Sequence, residues 1–378
     1  MDYQKISADD HIDLGYLPPD LWTDRVPKEL RDRAPRVEDQ GDKGEIWVCD
    51  GESWGDYRGE RWFARKQRSY LALDRGGVAE AGRPVDPAKR LVDMDRDGVE
   101  ASVMFPPILP MQVADPVLRN AVNVAYNDWA LEFASPSPKR LLPVARVAPE
   151  DPVAATNELL RVAKTGRLQE VSFLVNDVTT SMYLEDWDPF WSAAEETGVI
   201  VSYHVGGSDR NRSITTLVKE MKGTSRPPAF DLGLSNGATT FLEPFAGLFI
   251  FGTLERHPKL KVVLAESGTG WIPAVVQEMD LRYKRLFETK SASDIGLKEL
   301  PSDLFKRQVW ATYQADFVGL QLIPFFGDGH MMWASDYPHP DSTWPNSQAV
   351  VEQETAHLSP DMQRKIVRDN AVALYGLE

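Results

Sequence analysis

Short apolar runs rich in β-branched and aromatic residues recur along the chain, and between them the apolar positions fall at helical spacing. Strand cores are predicted at residues 5–11, 101–105, 142–147, 169–175, 199–204, 261–266, 308–312 and 331–336, eight in all. Helices are predicted over 116–133, 152–165, 187–197 and 270–287. The first of these has Asp115 as its N-cap and Pro116 at its first helical position. Strands alternating with helices are the order of a parallel sheet with crossover helices, and eight of them predict an α/β fold, a (β/α)8 TIM barrel, as one domain over residues 1–378.

Two segments break this rhythm. Residues 14–86 are long, rich in charge and Gly, and marked by Trp22, Trp47, Trp54 and Trp62. A second insertion spans residues 207–244, where Lys222-Gly223-Thr224-Ser225-Arg226-Pro227-Pro228 reads as a loop between helical pieces. Both follow strands that end in chemically competent side chains, so both are expected over the C-terminal face of the barrel, as lids or binding loops or as oligomer contacts.

Those side chains carry the chemistry. In Ile6-Ser7-Ala8-Asp9-Asp10-His11-Ile12-Asp13, alternation along a strand puts Asp9 and His11 on one face, able to hold one ion between them. His204 ends the fifth predicted strand, Glu266 the sixth, and Asp336 the eighth, within Met331-Met332-Trp333-Ala334-Ser335-Asp336-Tyr337-Pro338-His339-Pro340. Active sites of barrels lie at the C-terminal ends of the strands. Two histidines with carboxylates and no cysteine suit Zn²⁺, Mn²⁺ or Fe²⁺.

Composition narrows the partners. A formal net charge of −15 disfavours nucleic acid, whose phosphates recruit stripes of Lys and Arg. Cys49 is the only cysteine, which excludes an intrachain disulfide and a thiolate cluster. The start lacks a basic segment followed by an apolar one, and no run approaches the roughly 18 apolar residues that span a bilayer, so a cytoplasmic protein without membrane partners is expected.

The order of these motifs resembles the amidohydrolase superfamily, in its amidohydrolase family 2 branch, which includes the aminocarboxymuconate-semialdehyde decarboxylase-like enzymes. The resemblance rests on Ser7-Ala8-Asp9-Asp10-His11 with Leu17-Pro18-Pro19-Asp20-Leu21-Trp22, and on Arg90-Leu91-Val92-Asp93-Met94-Asp95-Arg96-Asp97-Gly98-Val99. Trp187-Asp188-Pro189-Phe190-Trp191, His204-Val205-Gly206, Glu255-Arg256-His257-Pro258, Leu264-Ala265-Glu266-Ser267-Gly268, Ser335-Asp336-Tyr337-Pro338-His339 and the terminal Asn370-Ala371-Val372-Ala373-Leu374-Tyr375-Gly376-Leu377 complete it. It implies a distorted barrel holding one divalent metal, Zn²⁺ first and Mn²⁺ or Fe²⁺ next, on Asp9, His11, His204 and Asp336. The fourth strand lacks the lysine that binuclear relatives carry, which favours one ion. It also implies a homodimer. One departure concerns the reaction: many decarboxylases of this branch end the sixth strand in a histidine, and here Glu266 stands in its place.

The residues alone leave other roles open. Asp9 and His11 could cap a neighbouring helix, His204 could be a core histidine, Asp336 could cap a turn, and Glu266 could serve a helix N-terminus. His339 lines the pocket, orients Asp336 or sits in a surface turn, and His257, His330 and His357 read as structural. Trp22, Tyr203, Trp271 and Trp344 either stack on a substrate ring or pack the core. The first expected activity is hydrolysis of an amide, lactone or related bond in a small carboxylated, cyclic or aromatic compound, with Glu266 or Asp336 taking a proton from metal-bound water and His339 nearby. The alternative is non-oxidative decarboxylation of a small aromatic or unsaturated acid. A barrel that only binds a metabolite is a third reading, which the set of metal-type residues argues against.

Overall fold

The computed structural model describes residues 4–41, 44–57, 82–108, 113–207, 237–289, 298–339 and 341–377. Nine strands line the barrel: β1 (Lys5–His11), β5 (Val99–Phe105), β6 (Leu141–Pro143), β7 (Ala145–Arg146), β8 (Glu170–Leu174), β9 (Ile200–His204), β10 (Val262–Ala265), β11 (Val309–Tyr313) and β12 (Met331–Trp333). They pair in parallel in the order β1-β5-β6 and β12-β11-β10-β9-β8-β7. Pro143, which has no N–H to donate, interrupts the third barrel strand and splits it into β6 and β7. The backbone closes the remaining seam: Asp336 N donates to Asp9 O at 2.9 Å and His11 N to Tyr337 O at 2.7 Å, joining β1 to the chain after β12. The result is the expected eight-stranded parallel barrel.

The period-2 pattern separates two apolar regions. Ile6, Ala8, Ala101, Val103, Phe105, Val144, Ile200, Val263, Ala265 and Met332 fill the barrel, while the alternate residues of the strands pack outward under the helices. Ala371, Leu374 and Tyr375 of the C-terminal helix (Asn370–Tyr375) plug the end away from the candidate site. Three helices start in the same way, with Asp86, Asp115 and Asp151 each preceding a proline and each accepting bonds from the next two free N–H groups. Such a cap contributes about 1 kcal/mol.

The described part of the first insertion folds into a small antiparallel sheet, β2 (Arg36–Asp39), β3 (Glu45–Cys49) and β4 (Glu52–Asp56). Trp22, Trp47 and Trp54 meet edge to face with ring centroids 5.1 and 6.0 Å apart, and Trp22 Nε1 donates to Val122 O at 3.1 Å on the helix Pro116–Ala134. This part therefore covers the barrel's flank, held at the mouth-side end of that helix by the Arg33–Asp115 pair at 2.8 Å. Trp22 is a packing residue, not a stacking platform for a ligand. Trp62, at 58–81, and the loop Lys222 to Pro228, at 208–236, lie outside the described residues.

Candidate functional site

All the residues singled out in the sequence as metal-type or catalytic converge at one end of the barrel. Asp9, His11, His204 and Asp336 are completely buried, whereas the side chains of Glu266 and His339 are 20% and 14% exposed. One ligand atom from each of Asp9, His11 and His204 lies within 4.8 Å of the others, and the same holds for His11, Glu266, Asp336 and His339. His11 belongs to both groups and makes them one centre.

Strand geometry explains how β1 contributes twice. Its pairing with β5 shifts register between Ser7 and Asp10, so one extra residue is accommodated there. Ala8 and Asp9 both face inward as a result, Asp10 faces out with Ser7, and His11 returns to the interior. Glu266 and Asp336 follow directly or closely after β10 and β12, and both adopt left-handed backbone, φ 54° and 60°. Non-glycine residues seldom do so, and such conformations concentrate at functional sites where surrounding contacts hold them. Here Thr312 Oγ1 accepts from Glu266 N at 2.8 Å and donates to Asp9 Oδ2 at 3.1 Å, fixing both residues from β11.

Proton positions follow from the partners. His204 Nδ1 donates to the Val205 carbonyl at 2.7 Å, which turns Nε2 toward Asp9 Oδ1, 3.3 Å away. His11 Nε2 stands 2.9 Å from Asp336 Oδ1, 3.6 Å from Asp9 Oδ1 and 3.9 Å from Glu266 Oε2. It has no hydrogen-bond partner among the described residues, and neither have Glu266 Oε2 and Asp336 Oδ2. Leaving buried polar atoms unsatisfied costs about 1–3 kcal/mol each, and a divalent ion at this point would give His11 Nε2 and Asp336 Oδ2 a partner. The donor set thus fits one such ion.

Burial and then the charges of His339 and His204 push the His11 pKa well down, which keeps a ring nitrogen free for a metal. Burial, followed by the negative charge of Asp336, pushes Glu266 well up. His339 behaves differently. Burial opposes its charge, yet the carboxylates of Asp336 and Asp13 outweigh burial and raise its pKa well above the ordinary value. Its Nδ1 donates to Asp336 Oδ1 at 2.9 Å and its Nε2 faces Asp13 Oδ2 at 3.2 Å, while its ring stacks on His11 with centroids 3.9 Å apart. With both nitrogens engaged, His339 orients Asp336.

Asp13, Asp10 and Thr312 were not singled out from the sequence. Asp13 was legible, since it continues the alternation of Asp9 and His11. Asp10 accepts from Ser7 Oγ at 2.7 Å, Ser335 Oγ at 2.9 Å, Tyr337 N at 3.1 Å and Ser102 Oγ, with Arg90 Nη2 3.7 Å away. It clamps the chain after β12 to β1 from behind, and Arg90 Nη1 secures the His11 carbonyl at 2.8 Å. The other candidates are structural: Trp344 Nε1 donates to Asp93 O at 2.9 Å, Tyr203 sits in the outer core with its hydroxyl 3.3 Å from that of Tyr183, and Trp271 Nε1 donates to Ser267 O at 3.0 Å. His257 precedes β10 at the opposite end, His330 Nδ1 donates to Val309 O at 2.8 Å, and His357 meets Gln321 at 2.8 Å on the surface.

A parallel barrel with histidines and carboxylates at its C-terminal mouth defines a class of metal-type barrel enzymes. Residues 47–377 match the amidohydrolase family model, and the chain belongs to that family. It is 26% identical over 317 residues to the gamma-resorcylate decarboxylase of Rhizobium sp. (strain MTP-10005), an alignment that covers 76% of this chain and 86% of the relative. Its fold is similar to that of an amidohydrolase from Mycobacterium avium subsp. paratuberculosis K-10, with a TM-score of 0.75, 22% identity and full coverage of both chains. It also resembles a dihydroxybenzoic acid decarboxylase from Polaromonas sp. JS666, solved with manganese and the inhibitor 2-nitroresorcinol, with a TM-score of 0.63, 18% identity and coverage of 99% and 97%. Among the described residues no helix is long and apolar enough to cross a membrane.

Proposed function

We propose that this protein is a metal-dependent decarboxylase of a small aromatic carboxylic acid, with Asp9, His11, His204 and Asp336 as the ligands of one divalent ion. The observation that carries this reading is the convergence of His11 Nε2 and Asp336 Oδ2, both buried and without a hydrogen-bond partner among the described residues, with Asp9 and His204 at the barrel mouth. The similarity to gamma-resorcylate decarboxylases supports decarboxylation over the hydrolysis expected first. Manganese, present in the Polaromonas structure, suits the same oxygen and nitrogen donors as zinc and is the first ion to test. A divalent ion held by these four residues would supply Lewis-acid polarisation of the substrate's carboxylate and neighbouring hydroxyl.

The chain's own residues supply the rest. Glu266 reaches the mouth, where burial and then the charge of Asp336 favour its protonated form, so it is placed to protonate the ring carbon that bears the carboxylate. The carbon–carbon bond then breaks, its electron pair restores the aromatic ring, carbon dioxide leaves, and Glu266 regains a proton from solvent. His339, held by Asp13, keeps Asp336 oriented throughout. A second reading, hydrolysis, is favoured by the same Glu266, since a carboxylate near a metal-type site can accept a proton from water.

The two are separated by incubating the manganese-loaded protein with ortho-hydroxybenzoic acids in D₂O and, separately, in ¹⁸O-water. Carbon dioxide release without added oxidant, with deuterium at the vacated ring position, is expected. A cleaved amide or lactone carrying ¹⁸O, with no carbon dioxide from any acid, would establish hydrolysis instead.

A further inference from the structure

The candidate ligand Asp336 stands in a left-handed turn, φ 60°, and its neighbour Tyr337 is bonded in three directions around that turn. Tyr337 N donates to Asp10 Oδ1 at 3.1 Å, its carbonyl accepts from His11 N at 2.7 Å, and its hydroxyl donates to Asp93 Oδ2 at 2.7 Å. Its backbone is thus bonded to one candidate ligand, His11, and covalently joined to another, Asp336. Its side chain reaches the other way, to the helix Pro87–Asp97 that carries Asp93.

Asp93 is buried, and its other side-chain partner is Arg83, whose Nε and Nη2 donate to the two carboxylate oxygens at 3.0 and 2.6 Å. Arg83 opens the short turn Arg83–Val85 with which the first insertion returns to the barrel. A second connection runs beside the first. Arg90 Nη1 donates both to the Pro84 carbonyl at 3.2 Å and to the His11 carbonyl at 2.8 Å, and its guanidinium carbon lies 5.1 Å from the centre of the Tyr337 ring. Consecutive residues at the insertion's end, Arg83 and Pro84, are therefore joined through one or two side chains to the segments that carry His11 and Asp336. A buried ion pair is a weak source of stability, because taking both charges out of water offsets their attraction, but a two-pronged guanidinium does fix where the carboxylate sits. That carboxylate in turn fixes the Tyr337 hydroxyl and, with it, the turn at Asp336.

We propose that the returning end of the first insertion sets the geometry of the metal centre, with Arg83 and Asp93 as positioning residues that act on Asp336 and His11 through the Tyr337 hydroxyl. The inference rests on the assignment of Asp336 and His11 as metal ligands in the reading above. Ligands need to be held within about 0.5 Å of their place, and losing a group that orients one costs about 10–100-fold in metal affinity.

The test is manganese affinity, read from the paramagnetic resonance signal of free Mn²⁺ as metal-stripped full-length protein is titrated. Tyr337→Phe removes one hydroxyl, and Arg83→Met combined with Asp93→Leu removes the ion pair without stranding a charge. Each is expected to weaken manganese binding about tenfold or more. The triple variant should bind no more weakly than the weaker of the two, because all three groups act along one path. Arg140→Gln is the control: Arg140 fastens the same helix through Asp95 Oδ1 at 2.6 Å, but it does so at the start of β5, where it also donates to the Glu100 carbonyl at 2.8 Å, at the end of the barrel away from the centre. Its loss should leave the affinity within about twofold of the parent. The far-ultraviolet spectrum reports folding, and where the paired variant does not fold, Tyr337→Phe against Arg140→Gln decides. Tyr337→Phe within about twofold of the parent, a triple variant whose loss is the product of the two, or a loss in Arg140→Gln as large as theirs overturns the inference. The metal reading fails on a separate arm, a parent that binds no manganese.

Discussion

Glu170 opens β8 at the floor of the barrel, 2% exposed, with Tyr375 Oη donating to its Oε2 at 2.8 Å. Its Oε1 has no hydrogen-bond partner among the described residues. Burial is the largest influence on this carboxyl and pushes its pKa from 4.5 up to about 7. Below pH 4.5 the group is protonated in both the folded and the unfolded chain and does not affect stability's pH dependence. Between there and pH 7 the unfolded chain releases the proton and the folded one keeps it, so stability falls by about 1.4 kcal/mol per pH unit. The total loss is about 3 kcal/mol, complete above the folded pKa. Glu170→Gln cannot ionise and escapes this loss. Urea unfolding followed by tryptophan fluorescence, after a check of reversibility, should therefore show the stability difference between variant and parent rising by about 3 kcal/mol from about pH 4.5 to about pH 8 in the variant's favour. Every other titrating group is common to both proteins and cancels, and any fixed packing change shifts the curve without tilting it. A difference that stays flat within about 0.5 kcal/mol across this range would refute the assignment of a buried, proton-holding carboxyl to Glu170.

Other consequences are equally direct. Elemental analysis of the parent should find about one equivalent of divalent metal, and His204→Ala or Asp336→Ala should retain little; equal retention in both variants would remove them from the ligand set. Thr312→Val deletes the bond that orients Asp9 and the acceptor of Glu266 N, and metal affinity measured by competition with a chelator should drop about 10–100-fold with the fold intact. Gly319→Ala would place a methyl 1.9 Å from Thr269 Oγ1 and 2.5 Å from Asp316 Oδ2, where Asp316 gathers the backbone N–H groups of Thr269, Gly270 and Gly319. Thermal unfolding should report a destabilisation of about 1–3 kcal/mol, and an unchanged midpoint would show that the loop after Glu266 yields freely. Glu266→Gln should bind 2-nitrophenol, an inert probe with a nitro group in place of the departing carboxylate, about as the parent does but lose about 10²–10⁴-fold in carbon dioxide release, whereas equal losses in both would make Glu266 a binding residue.

Much of this protein is written locally. The strand and helix cores lie close to where the periodicity puts them, because period 2 and period 3.6 follow from backbone geometry and from the need to bury one face. The Asp-Pro helix starts and the pairing of Asp9 with His11 are equally local. Strand ends are less so: β12 stops at Trp333, and Asp336 reaches the site from a left-handed turn beyond it. Contacts between distant segments hold that turn, notably Asp336 N to Asp9 O at 2.9 Å and Ser335 N to Ser7 Oγ at 2.8 Å.

The division has a physical cause. Sequence by itself determined which residue types end which strands, hence a barrel with histidines and carboxylates at its mouth and the motifs of its family. Only the tertiary structure decided that a bulge turns both Ala8 and Asp9 inward, that His339 is occupied on both nitrogens, and that Asp10 and Thr312 brace the centre. Each of these depends on whether a polar atom finds a partner across the barrel, and such partnerships join residues separated by tens to hundreds of positions in the chain, beyond the reach of any local pattern.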